Sequence, residues 1–155
     1  GRCFNKNRYD EYLTTIKKNL ILAAENFAPL GIKTVFEAIN TQDMPEFIIH
    51  HTEQQLALLT ELNHPNLFIQ HDIYHATKMG ENSANVIKTH VDKIGHIQFA
   101  DCPERGQPNT GTINFSELFK LIQESSYNGW CGAEYKPIGN TEQSLLWFKN
   151  YNGVQ

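Results

Sequence analysis

The strongest constraint in this sequence is a rhythm. Four short runs rich in β-branched and aromatic residues, KTVFEAIN (33–40), NLFIQHD (66–72), IGHIQFAD (94–101) and GWCGAEY (129–135), are each followed by a stretch with helical spacing of apolar residues. Parallel neighbours cannot be joined by a hairpin, so this alternation predicts a parallel sheet with crossover helices. Ahead of the first strand, Leu13, Ile16, Leu20, Ala23 and Phe27 recur at steps of three and four. They predict an amphipathic helix from Tyr9 that stops near Pro29 and Gly31.

The later helices carry their own signals. Thr52 with Gln55 three residues on reads as a capping box for a helix that buries Leu56, Leu59 and Leu62 and ends at Pro65. A helix runs through Ala84 to Val91. Asn114 with Glu117 caps another, whose apolar face is Phe115, Leu118, Phe119 and Ile122, and a last helix carries Leu145, Leu146 and Phe148.

A doubly wound dinucleotide fold calls for G-x-G-x-x-G after a strand, and the sequence has none. A (β/α)8 barrel of ~250 residues has ~31 residues per βα unit, close to the spacing here. The expected fold is therefore α/β, the C-terminal half of a (β/α)8 TIM barrel, with four parallel strands alternating with helices from the fourth helix to the eighth. Its 155 residues form a single domain, residues 1–155. The N-terminus, without Met, reads as a chain cut open internally.

Composition excludes several classes. A net charge of -4 with no Lys/Arg cluster argues against nucleic acid as a partner, and no apolar run approaches the ~18 residues of a membrane span. Cys3, Cys102 and Cys131 are odd in number and lack metal-finger spacing, so they read as thiols in a reducing, cytoplasmic setting.

Side chains alternate along a strand, and one parity gathers the polar residues. Glu37, Asp72, Gln98 and Glu134 share it, each near the C-terminal end of its strand, where barrel active sites lie. The other parity, with Phe36, Ala38, Leu67, Ile69, Ile97, Phe99, Cys131 and Ala133, is apolar and suits a face packed on helices. Three carboxylates and an amide oxygen at one mouth repel one another unless a cation sits among them. An all-oxygen set favours a hard divalent ion, Mg²⁺ or Mn²⁺, over zinc. His75, three residues after Asp72, is a candidate substrate donor over the mouth, and Arg105 suits the grip of a substrate carboxylate, with Lys136 a lesser candidate. His71 falls on the helix-facing parity and reads as a satisfied core histidine.

The motifs FEAIN, QHDIYH, HIQFADCPERGQP and GAEYKP, in this order, resemble the hydroxypyruvate isomerase family of xylose isomerase-like barrels, from about Tyr9 to Tyr151. The resemblance implies an isomerase without organic cofactor that interconverts hydroxypyruvate and tartronate semialdehyde. Glu37 and Glu134 would be its acid/base pair, and Glu37, Asp72, Gln98 and Glu134 its metal ligands in metal-binding relatives. Gln98 stands where sugar epimerases of the superfamily usually have histidine. 2-Oxo-tetronate isomerase and a non-catalytic fragment of such a barrel are the alternatives. A half barrel exposes two sheet edges, so the expected partners are a small hydroxy-oxo acid and either a second copy, making a homo-oligomer, or the missing N-terminal half.

Overall fold

The computed structural model describes residues 1–151. Its sheet has four strands in the order β1 (Thr34–Glu37), β2 (Leu67–Asp72), β3 (Ile94–Phe99) and β4 (Cys131–Ala133), every neighbouring pair parallel. The helices are α1 (Tyr9–Phe27), α2 (Thr52–Leu62), α3 (Ile73–Lys78), α4 (Ser83–His90), α5 (Phe115–Glu124) and α6 (Thr141–Ser144). The expected α/β alternation is thus present as a partial barrel, with β1 and β4 at open edges among the described residues.

The helix-facing parity makes the core. Ile69, Ile97 and Phe99 pack with Ile73 and Ile87 and with Phe115, Leu118, Phe119 and Ile122 of α5. A second cluster joins Ile48, Ile49 and Leu58 to Leu13 and Ile16 of α1. Helix α1 ends in a 3-10 turn containing Pro29, and Gly31 takes the left-handed conformation, φ 68°, that lets the chain turn into β1.

One irregularity sets the alignment of the site. Ile69 pairs with Ile94 but Gln70 pairs with His96, so β3 carries one extra residue, Gly95, a β-bulge. A Cβ on Gly95 would lie 2.7 Å from Val35 Cγ1 and 2.8 Å from Phe68 Cβ, so only glycine fits unshifted. Beyond the bulge, Asp72 lies beside Gln98.

Several expectations change. Thr52 and Gln55 do not form the capping box: His51 is the N-cap, and Gln54 Oε1 accepts from its N–H at 3.0 Å. Gln55 is buried instead and donates to the carbonyls of Phe36, at 2.6 Å, and Gln70, at 3.3 Å. Those two inward bonds tie α2 to β1 and β2. Helix α3 was not separately expected; it begins because Asp72 caps it, accepting from His75 N–H at 3.0 Å. The last helix is one α turn followed by a 3-10 helix (Leu145–Tyr151), and Leu145, Leu146 and Phe148 are exposed. Trp147 packs inward instead, on Phe99 and Phe119, and Tyr151 joins it on Phe119. The outer face of β4, expected to be covered, leaves Cys131 and Ala133 exposed.

A candidate active site at the strand ends

Strand parity brings Glu37, from the end of β1, beside Asp72, from the end of β2. Oxygens of both and a ring nitrogen of His75 lie within 4.8 Å of one another. Asp72 and His75 are almost fully buried, and Glu37 Oε1 is buried without a hydrogen-bond partner among the described residues. Burial, and then the charge of Asp72, push the Glu37 carboxyl up to about 7. An orphaned carboxylate oxygen beside a second carboxylate is the signature of a place where a cation or a proton belongs.

His75 does not hang over the mouth. It is buried on α3, with Nε2 3.9 Å from Glu37 Oε1. On the other side of the ring, Nδ1 meets the backbone N–H of Asn40 at 3.4 Å and the side-chain Nδ2 of Asn40 at 2.6 Å. Two donors at Nδ1 make it the acceptor and leave the proton on Nε2, facing Glu37. Burial holds the imidazole below its ordinary pKa, against the pull of Asp72, so the ring is a neutral N–H donor. Asn40 is fully buried, and its Oδ1 in turn accepts from Asp43 N–H at 2.8 Å.

Gln98 lies on the same face next to Asp72, and its Oε1 accepts from Gln70 Nε2. Gln70 also works against the rise of the Glu37 carboxyl. Glu134 sits one residue beyond β4, its backbone N–H on Phe99 O at 2.9 Å, and its charge is felt at Glu37. Arg105, rather than waiting in solvent, donates from Nη2 to Glu134 Oε2 at 2.6 Å. Its guanidinium lies 5.0 Å from the centre of the Tyr74 ring.

That placement depends on a stapled loop. Asp101, 1% exposed, accepts from the backbone N–H groups of Cys102, Thr110, Gly111 and Ile113 at 2.8 to 3.1 Å. Gly111 is required there, since a Cβ would lie 2.0 Å from Cys102 O. Arg105 itself takes a left-handed backbone, φ 59°, which costs ~1–3 kcal/mol away from glycine. Its carbonyl accepts from Lys136 N–H at 2.7 Å, which ties the β3–α5 loop to the segment after β4.

His71 is buried toward the helices, as its parity predicts, but its Nε2 has no hydrogen-bond partner among the described residues. Burial pushes it down to about 4. It lines a cavity of about 10 Å³, room for one water.

The four expected metal-site residues thus divide. Glu37 and Asp72 meet directly with Gln98 alongside, whereas Glu134 is held by Arg105. Asn40, Asp43, Gln70 and Tyr74 were not singled out from sequence. Gln70 shares the polar parity and was legible on that ground, whereas the others act across loops.

Residues 2–151 match the family described as xylose isomerase-like TIM barrel. The chain is 44% identical over 137 residues to hydroxypyruvate isomerase of Escherichia coli, covering 88% of this chain and 53% of that protein. It is 38% identical over 138 residues to 2-oxo-tetronate isomerase of Pectobacterium atrosepticum, covering 89% and 53%. Among solved structures, one described as AP endonuclease, family 2, from Brucella melitensis superposes with a TM-score of 0.85 at 36% identity, covering 89% of this chain and 54% of that one. The chain spans about half the length of the curated relatives it matches. No helix of the described residues is long and apolar enough to cross a membrane.

Proposed function

The chain belongs to the xylose isomerase-like TIM barrel family, and from that footing we propose that it carries the acid/base half of an isomerase that moves the carbonyl of a small hydroxy-oxo acid by one carbon. The reaction proposed is hydroxypyruvate to tartronate semialdehyde. A proton leaves one carbon and another returns to its neighbour through an enediolate, which calls for two positioned carboxyl groups. Glu37 and Glu134 are assigned that work. Glu37, at about 7, exchanges a proton readily near neutral pH. The neutral Nε2–H of His75 and the remaining N–H groups of Arg105 orient substrate oxygens.

The observation that carries this reading is the orphaned, buried Glu37 Oε1 against Asp72. It fits a divalent cation held by Glu37, Asp72, Gln98 and Glu134, with Mg²⁺ or Mn²⁺ favoured by the oxygen set. When bound, such an ion stabilises negative charge on the enediolate oxygens. Binding to Gln98 requires its Oε1 to be shared with Gln70, and binding to Glu134 requires it to be shared with Arg105. No organic cofactor enters the scheme.

2-Oxo-tetronate is the second reading, favoured by the 38% identity to an isomerase of that name. The remaining strands of a barrel are proposed to come from further polypeptide or from a second copy, in a cytoplasmic setting. The test is turnover of hydroxypyruvate and 2-oxo-tetronate by the protein, with and without EDTA, beside Glu37→Gln and Glu134→Gln. A loss of at least a hundredfold in both variants is expected; activity within tenfold of the parent refutes the assignment.

A further inference from the structure

Beside the carboxylate cluster, a separate pocket of about 440 Å³ is lined by three cationic side chains, Lys78 from the end of α3, Arg105, and Lys136 after β4, together with Tyr74, Asp43 and Glu104. Two of the cations lie near one ring: Arg105 lies 5.0 Å and Lys78 Nζ 6.0 Å from the centre of Tyr74. The three charges are not equally engaged.

Arg105 is committed to Glu134 at 2.6 Å. Lys78 Nζ stands 3.8 Å from Asp43 Oδ1, beyond hydrogen-bond length. The other oxygen of Asp43, Oδ2, already accepts from Tyr74 O–H at 2.6 Å and Asn40 Nδ2 at 3.0 Å. Those bonds and the charge of Lys78 outweigh burial and hold Asp43 below the usual carboxylate range. The side chain of Lys136 has no ion pair or hydrogen bond among the described residues. Two ammonium groups with unspent donors therefore face one pocket against the solvated carboxylate of Glu104, which is exposed. Long, flexible ammonium groups neither stack nor fork, and what they recognise is a point of negative charge.

We propose that Lys78 and Lys136 form an anion subsite that takes the carboxylate of the substrate, and that these two residues select an acid over a neutral hydroxyketone. The inference rests on the proposed isomerase reading for where the rest of the substrate lies. It narrows the role of Arg105, which holds Glu134 in place and reaches a substrate oxygen, while the lysines hold the acid group.

Hydroxypyruvate and dihydroxyacetone share a carbonyl and a hydroxymethyl group and differ in the carboxylate. Binding of each to the 155-residue chain is measured by NMR titration, at low and high salt, beside Lys78→Met, Lys136→Met, the double variant and Lys78→Arg. The double variant is expected to weaken hydroxypyruvate at least tenfold and dihydroxyacetone less than twofold, with Lys78→Arg within threefold of the parent. The same spectra report the fold, and if Lys78→Met unfolds, the exposed Lys136→Met alone is expected to weaken hydroxypyruvate about threefold. Equal weakening of both ligands, an unchanged hydroxypyruvate affinity, or no hydroxypyruvate binding by the parent overturns the subsite. Lysine-dependent discrimination together with Glu37→Gln and Glu134→Gln activities within tenfold of the parent sinks the isomerase reading and leaves the subsite standing, whereas turnover lost in those variants with lysine-independent binding does the reverse.

Discussion

Arg105 Nη2 lies 2.6 Å from Glu134 Oε2, while the charge that weighs most on Glu37 is that of another carboxylate, Asp72. The two glutamates assigned to proton transfer thus sit in opposite fields. One is offset by a fixed cation, and the other is crowded by like charge and burial. An enediolate route gains from that difference, because the two groups must take opposite protonation states in turn.

Glu37 should titrate near neutral pH in metal-free protein. Carbon-detected NMR of its carboxyl is expected to give an apparent value of about 7, and Asp72→Asn should lower it only partway, because burial is the larger cause. The linkage has a definite sign. A carboxyl raised when folded binds its proton more tightly in the folded chain, so its contribution is intact below its unfolded value of 4.5 and is lost as pH rises through about 7. The loss is at most about 3 kcal/mol, read by urea titrations at pH 4.5 and 8. Glu37→Gln should flatten that slope; a parent equally stable at both pH values, with the slope unaltered by Glu37→Gln, contradicts it.

His75 should be a neutral Nε2–H tautomer. Nitrogen-15 shifts of the ring are expected to show Nδ1 unprotonated at pH 7, with Asn40→Ala mixing the tautomers by removing the side-chain donor at 2.6 Å. The backbone donor at 3.4 Å survives that change, so partial rather than complete scrambling is expected. A parent ring protonated on Nδ1 would remove His75 as the donor facing Glu37.

Gly95→Val should cost about 1–3 kcal/mol, the usual range for overpacking, since even a Cβ meets Val35 Cγ1 at 2.7 Å. Chemical denaturation measures the loss. If the variant folds, the resonances of Gln98 and Asp72 should move together, because the bulge sets their pairing. A variant as stable as the parent would show that the bulge can relax.

The alternation of strands and helices, the apolar helix-facing parity of β1 to β3 and the meeting of Glu37 with Asp72 were legible, because strand periodicity is a local property of sequence; on β4 the same parity is exposed. The capping of α2 was misplaced by one residue. The sequence offers Gln54 and Gln55 in succession, and the choice was made by the carbonyls of Phe36 and Gln70, which claimed Gln55. The bulge at Gly95 was invisible because its cause, the proximity of Val35 and Phe68, lies on two other strands. The Asn40–His75 and Lys78–Asp43 contacts span 35 residues, and no pattern within either segment announces them. Arg105 was recognised as a carboxylate binder, but the carboxylate it meets is Glu134.

The four amide groups gathered by Asp101 all belong to the segment that Asp101 itself begins. The base of the loop therefore brings its own scaffolding, while its tip is tied to the segment after β4 through Arg105 with Glu134 and Lys136 and through Gln107 with Ile138. In evolutionary terms such a segment is a cassette. Its tip, from Pro103 to Asn109, can vary for a different acid while Asp101 and Gly111 hold the base, provided that Arg105 within it keeps its grip on Glu134 and its carbonyl on Lys136 N–H.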